Sequence, residues 1–199
     1  MGMAGGWMLG MTGCHNTRVT EPQRSVAEQL LLSSATDRSV VGANFEPLRG
    51  RKVFVQEKYF DSYDKGHALG VLREAMSKAG ARLVAVEWEA EWIVEVRSSG
   101  LGLDNRDSLV GIPSLTIPIP LAGPIATPEL ALYKAMHSDS AAKFAVFAYE
   151  RASGEHRHAT GPLTGAAHFH HYRLLGLINW RRTDVPELDP KLRKEKPGN

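Results

Sequence analysis

The sequence predicts an α/β fold of the α+β kind: one mixed β-sheet with an N-terminal helix, one βαβ unit and C-terminal antiparallel hairpins. Three observations lead there. Residues 90–103, AEWIVEVRSSGLGL, put Trp92, Val94 and Val96 on one face and Glu91, Glu95 and Arg97 on the other, the period of two of a half-buried strand. Residues 142–149, AKFAVFAY, are apolar on both faces, as suits a central strand covered twice. Between residues 51 and 86 a strand pattern, a helical pattern and a second strand pattern follow one another, which calls for a right-handed crossover and parallel strands.

Taken in order, Thr20-Glu21-Pro22-Gln23 has the form of a capping box and starts a helix that runs to about Val41, with Gly42 as its stop. Its apolar stripe is Val26, Ala27, Leu30, Leu31, Ala35 and Val41. A strand is expected over Arg51–Phe60. Asp61 or Ser62 then caps a helix whose inner face is Ala68, Leu69, Leu72, Ala75, Met76 and Ala79, and Gly80 ends it. Arg82–Val86 is the return strand. Gly100 and Gly102 fall where the apolar face of the next strand should continue, so a bulge is expected near Ser98–Ser99.

Residues 104–128 read as a long loop, apolar, stiffened by prolines and free of charge from Ser108 to Pro128. Such a segment packs on its own domain or docks a partner, and Leu109, Ile112, Leu115, Ile117, Ile119 and Leu121 are the side chains that would do so. Glu129–His137 is expected as a strand and residues 137–140 as its turn into the central strand. A hairpin turn follows at Ala152-Ser153-Gly154. The last hairpin pairs Glu155–Thr160 with Ala166–Leu175 through a turn at 161–165, and residues 181–199 form a charged flexible tail. The organisation is thus a leader over 1–13, a tether over 14–19, a single domain over 20–180 and the tail.

Composition narrows the function. At 199 residues with 43% hydrophobic content, the chain can build one real core. Its net charge of +2, from 24 basic and 22 acidic residues, leaves no electrostatic footprint for nucleic acid. The single cysteine, Cys14, excludes an intramolecular disulfide and a Cys-based zinc site. There is no Gly-x-Ser-x-Gly, no phosphate-binding GxxxxGK[ST], no HExxH and no dinucleotide fingerprint, so no enzyme is expected.

Five of the eight histidines fall in the last predicted hairpin. If Thr160 pairs with Ala166, His158 opposes His168 and His156 opposes His170, and four imidazoles share one surface. That arrangement suits zinc or copper. The same pattern also describes a polar outer face without metal. A register slip of one residue would separate the pairs, and no carboxylate sits there to orient the rings.

Two resemblances bear on role. Met11-Thr12-Gly13-Cys14 resembles the lipobox of bacterial lipoproteins, in which the cysteine is acylated with palmitate-type chains and becomes the mature N-terminus. This implies a lipid anchor at Cys14. The absence of aspartate at the next position, His15, implies the outer membrane, facing the periplasm. The segments SVAEQLLLSSATDRSV, GARLVAVEWEAEWIVEVRSSGLGLDNRDSLVGIPS, TPELALYK and AKFAVFAYERASGE resemble a family of uncharacterised bacterial lipoproteins. More remotely, GARLV…AEWIVEV is similar to the periplasmic α/β domains of curli-secretion (CsgG-like), flagellar (FlgO-like) and penicillin-binding-protein-activating (LpoB-like) lipoproteins. Those act by assembly and binding, and supply no catalytic residues. No segment clearly matches the membrane-crossing hairpins of the curli pore. The expectation is a lipid-anchored envelope protein with a non-enzymatic binding or assembly role, its partners being the membrane and envelope proteins or further copies of itself. The alternative is a periplasmic protein that binds metal or a small ligand at the histidine hairpin.

Overall fold

A computed structural model of the chain describes residues 24–62, 64–119 and 123–189. Among these, the elements are α1 (Val26–Ser39), β1 (Lys52–Gln56), α2 (Lys65–Lys78), β2 (Arg82–Leu83), β3 (Trp92–Ile112), β4 (Thr116–Ile119), β5 (Gly123–Ala126), β6 (Leu130–Glu150), β7 (His156–Leu174) and β8 (Ile178–Thr183), with short 3-10 turns at Glu46–Leu48, Glu87–Glu89 and Pro186–Leu188. The main sheet has the order β2-β1-β3-β6-β7-β8, and β4 pairs with β5 apart from it. β1 runs parallel to both β2 and β3, and the remaining neighbours are antiparallel. The fold class expected from the sequence is therefore the one observed.

The capping box of α1 is Ser25–Glu28: the Glu28 N–H donates to Ser25 Oγ (3.2 Å) and the Ser25 N–H to the Glu28 carboxylate (2.8 Å). The box expected at Thr20–Gln23 lies outside the described residues. Leu31, Leu32 and Ala35 are buried, but Val26 and Val41, assigned to the inner stripe from the sequence, are 68% and 79% exposed. The helix instead buries Thr36 and Ser39, whose hydroxyls donate to the carbonyls of Leu32 (2.8 Å) and Thr36 (2.6 Å). A hydroxyl satisfied by its own helix can be buried at small cost. It also lets α1 lie close to the sheet: a Cβ at Gly165 of β7 would sit 2.0 Å from the Ala35 carbonyl oxygen.

The core lies between the two helices and one face of the sheet, with Leu72, Met76, Val53, Val94, Val96 and Phe144 at its centre. β1 stops at Gln56, short of the predicted Phe60. Phe60 turns inward from the following loop and packs on Phe144, ring centroids 5.5 Å apart. The N-cap position of α2 is Asp64, rather than Asp61 or Ser62, and Gly80 takes the left-handed conformation that ends the helix (φ +97°). β2 is two residues long, not five. The expected bulge in β3 falls between Ser98 and Gly100.

Beyond the helices the sheet departs from expectation. Most of the described residues in 104–128 are strand rather than loop. β3 continues to Ile112, β6 begins at Leu130, and the two pair over almost their whole length, with β4 and β5 between them. Each has 21 residues, roughly 65 Å of strand. The turn predicted at 137–140 is continuous strand. The turn predicted at 161–165 is a bulge: Ala145 pairs with Pro162 and Phe147 with Ala159, so Thr160 and Gly161 face the single residue Val146. Glycine at φ +72° and a proline without an N–H serve a bulge as well as a turn. Residues 181–189, assigned to a flexible tail, belong to the fold: Arg181–Thr183 complete β8 and Val185 is fully buried.

Candidate functional site: the uncovered end of the sheet

The helices define which strand positions face where. Ser140 on β6 is buried and donates to the Leu31 carbonyl of α1, so even-numbered positions there face the helices and Asp139 and His137 face away. Pairing carries this alternation across four strands. On the face away from the helices the sheet is built in rows. Nearest the core come Asp104, Asp139 and His168; then Arg106, His137, His170 and Arg182; then Ser108, Ala135, Tyr172 and Trp180; and at the far end Val110, Tyr133, Leu174 and Ile178. On the opposite face, Asp107, Met136, His171 and Arg181 form one row and Leu109, Lys134, Arg173 and Asn179 the next.

The first two rows form a histidine–carboxylate cluster. His170 Nε2 lies 2.9 Å from Asp139 Oδ1, the His137 and His170 rings are 4.5 Å apart, and His168 and His170 are 5.1 Å apart. Tyr172 Oη is 3.3 Å from His137 Nε2, and its ring stacks on Trp180 at 5.3 Å. At the sheet edge, His168 donates its N–H to Asp184 Oδ1 (2.8 Å), with its Nδ1 3.3 Å from Oδ2. Arg38 of α1 also pairs with Asp184 and donates to the carbonyls of Ala166 (2.7 Å) and Asp184 (2.6 Å). Partial burial alone would raise the Asp184 carboxyl. The His168 N–H and the Arg38 guanidinium outweigh it and hold the group below the ordinary carboxylate range. His171 moves the same way for other reasons: desolvation, then the charges of Arg181 and Arg173, lower its pKa.

The four histidines assigned to one surface are not brought together. Because β7 is one continuous strand, His158 and His168 lie ten residues apart along it, roughly 33 Å. His156 is opposite Tyr149, and His158 Nε2 contacts the Asn44 carbonyl oxygen (2.8 Å). Only His168 and His170 share a cluster, and their third imidazole is His137 of β6. Among the described residues, no group of three or more His, Cys, Asp or Glu is placed to hold a metal ion.

The docking residues fare differently. Ile112, Leu115 and Ile117 are exposed and Leu109 half-buried, with Leu109 and Ile112 at the far end of β3, Leu115 just before β4 and Ile117 on it. Ile119 closes β4, paired with Gly123, and Leu121 lies outside the described residues, as does Cys14. The sequence reading missed the partners that β6, β7 and β8 bring to this end: Leu130, Leu132, Leu174, Leu175, Leu177 and Ile178 are all exposed. The alternation Leu132, Lys134, Met136, Ser138 against Tyr133, Ala135, His137, Asp139 was the available signal. No described helix is long and apolar enough to cross a membrane.

Residues 8–180 match the model of a family of unknown function (DUF6655). No curated protein matches the chain.

Proposed function

The chain belongs to DUF6655, and from that premise we propose that it is a lipid-anchored protein of the bacterial cell envelope, acylated at Cys14, whose work is binding or assembly rather than catalysis. The observation that carries this reading is the far end of the main sheet. Four strands run past the helix layer and expose large apolar side chains, Leu132 at 57% and Leu177 at 84% among them. Exposed apolar surface of that extent marks a contact that the folded monomer leaves open. The lipobox-like Met11-Thr12-Gly13-Cys14 supplies the membrane, and the outer membrane facing the periplasm is the location it favours.

Metabolic labelling with radiolabelled palmitate tests the anchor. Incorporation into the wild type and not into Cys14→Ser is the expected result. A native chain that carries residues 1–13 with an unmodified Cys14 would overturn it. Affinity capture from envelope fractions tests the role, the expected yield being a stable complex that requires the exposed end of the sheet.

A further inference from the structure

The geometry points to a second membrane contact: the apolar end of the main sheet seats in the interfacial layer of a bilayer, with Tyr133, Tyr172 and Trp180 at headgroup level and Arg173, Arg181 and Arg182 against anionic headgroups. This deepens the reading above and rests on it for which membrane is meant and for the acyl group on Cys14.

The order of residues along the strands is the first argument. No charged residue occurs from Ser108 to Pro128, and Glu129 is held by Lys134 Nζ at 3.0 Å. Tyr133 stands in the outermost row with Val110, Leu174 and Ile178, and Tyr172 and Trp180 pair one row nearer the core. On the opposite face Lys134 and Arg173 stand beside Leu109, farther out than the Tyr172–Trp180 pair, with Arg173 donating to the neutral Asn179 amide (3.1 Å), and the exposed Arg181 and Arg182 follow nearer the core. Apolar side chains at the end, aromatic rings among and behind them, and long basic side chains that can reach to the headgroups make the combination that a bilayer interface selects. Val110, Leu174 and Ile178 lie on one side of the sheet, and Leu109 lies on the other beside Lys134 and Arg173, so apolar side chains stand on both sides of the end.

The tether is the second argument. The Asn105 side-chain amide at the base of this end donates to Glu28 Oε1 (3.0 Å), in the first turn of α1. From Asn105 the strand has seven more residues to Ile112, roughly 23 Å. The ten residue steps between Cys14 and Arg24 can span at most ~35 Å. An acyl group on Cys14 can therefore reach the plane of the sheet's end, so that both can enter one bilayer.

The depth is limited. β1 pairs with β3 only as far as Glu95, and β8 is the last strand of the sheet, so both outer edges carry open backbone groups along the exposed end. Unpaired edges do not occur in the hydrocarbon core. Seating at ~5–10 Å, the depth of interfacial elements, avoids that cost.

The test uses the full chain as Cys14→Ser, so that no acyl group contributes, with vesicles of phosphatidylethanolamine and phosphatidylglycerol. The chain should float with these vesicles and less with phosphatidylcholine alone. Brominated lipid should quench emission that Trp180→Phe removes. Leu132→Asp with Leu177→Asp, both at exposed positions, should keep the far-UV spectrum and weaken partitioning by roughly tenfold or more. Any of three results overturns the proposal: no flotation of Cys14→Ser, flotation indifferent to the paired substitutions, or a lipid-free oligomer that those substitutions dissolve, which would give the surface to a second copy. Release of an entrapped dye would overturn the shallow seating, since it requires copies to close their edges into a pore. Palmitate labelling fails or succeeds independently of all of these.

Discussion

The Ser140 hydroxyl on β6 lies 2.9 Å from the Leu31 carbonyl oxygen on α1 and 3.1 Å from that of Ala167 on β7. One buried side chain thus ties the first helix to two central strands and fixes which face of the sheet is covered. Ser140→Ala leaves a small void and removes this tie. It should cost about 1–2 kcal/mol in urea unfolding monitored by circular dichroism, with no change in m-value.

Gly165 should tolerate no side chain. Its Cβ would fall 2.0 Å from the Ala35 carbonyl oxygen and 2.5 Å from the Ser39 nitrogen, both backbone atoms of α1 that cannot swing aside. Gly165→Ala should lower stability by about 3 kcal/mol through displacement of the helix. Equilibrium denaturation measures the loss, and hydrogen exchange should localise it to residues 31–39.

Acid should act partly through Asp184. Its carboxyl is held low in the fold, so the unfolded chain binds the proton more readily. The stabilisation is present above the unfolded carboxylate range and fades as pH falls through the lower folded value. The group is a third exposed, which reduces the effect to the order of 1 kcal/mol. Asp184→Asn should flatten the melting temperature below about pH 4 relative to wild type.

His171 should give the opposite of a stabilising switch. Its pKa is lowered in the fold, so between the unfolded value near 6.5 and the folded one the unfolded chain takes up more protons, and stability falls as pH falls. His171→Gln should remove that slope. Thermal melts from pH 7.5 to 5 would show the wild type losing more than the variant, by a few tenths of a kcal/mol to about 1.

How far the sequence could be read depended on whether local pattern and long-range pairing agreed. Val94 and Val96 against Glu95 and Arg97 have the alternation of a strand, and Gly80 marks a helix end by its own conformational freedom, so both elements were legible, but Glu95, expected on an open polar face, is buried with Ile93 and accepts from Arg97 Nε (2.5 Å). The far end of the sheet was not legible. Asp104, Asn105, Arg106, Asp107 and Ser108 have the composition of a loop and are strand because each finds its partner between Ala135 and Asp139. Gly161-Pro162 carries the same chemistry in a bulge as in a turn, and choosing the turn folded β7 in two and created a histidine cluster that the protein does not have. The real cluster needs His137, thirty-three residues from His170, and only the register of β6 on β7 brings them together. Apolar residues 109–117 were legible as a surface, but not the strands from which that surface is built.

β3 and β6 each belong to two places at once, the first half of the hairpin filling the core and the second half reaching past it. Their bulges bend the ribbon without interrupting it, so there is no joint between the packed body and its projecting end. Leu132 at the far end and Phe144 in the core lie on one uninterrupted strand. Were the projecting end held, the packed body would be coupled to it through continuous paired backbone rather than through a linker.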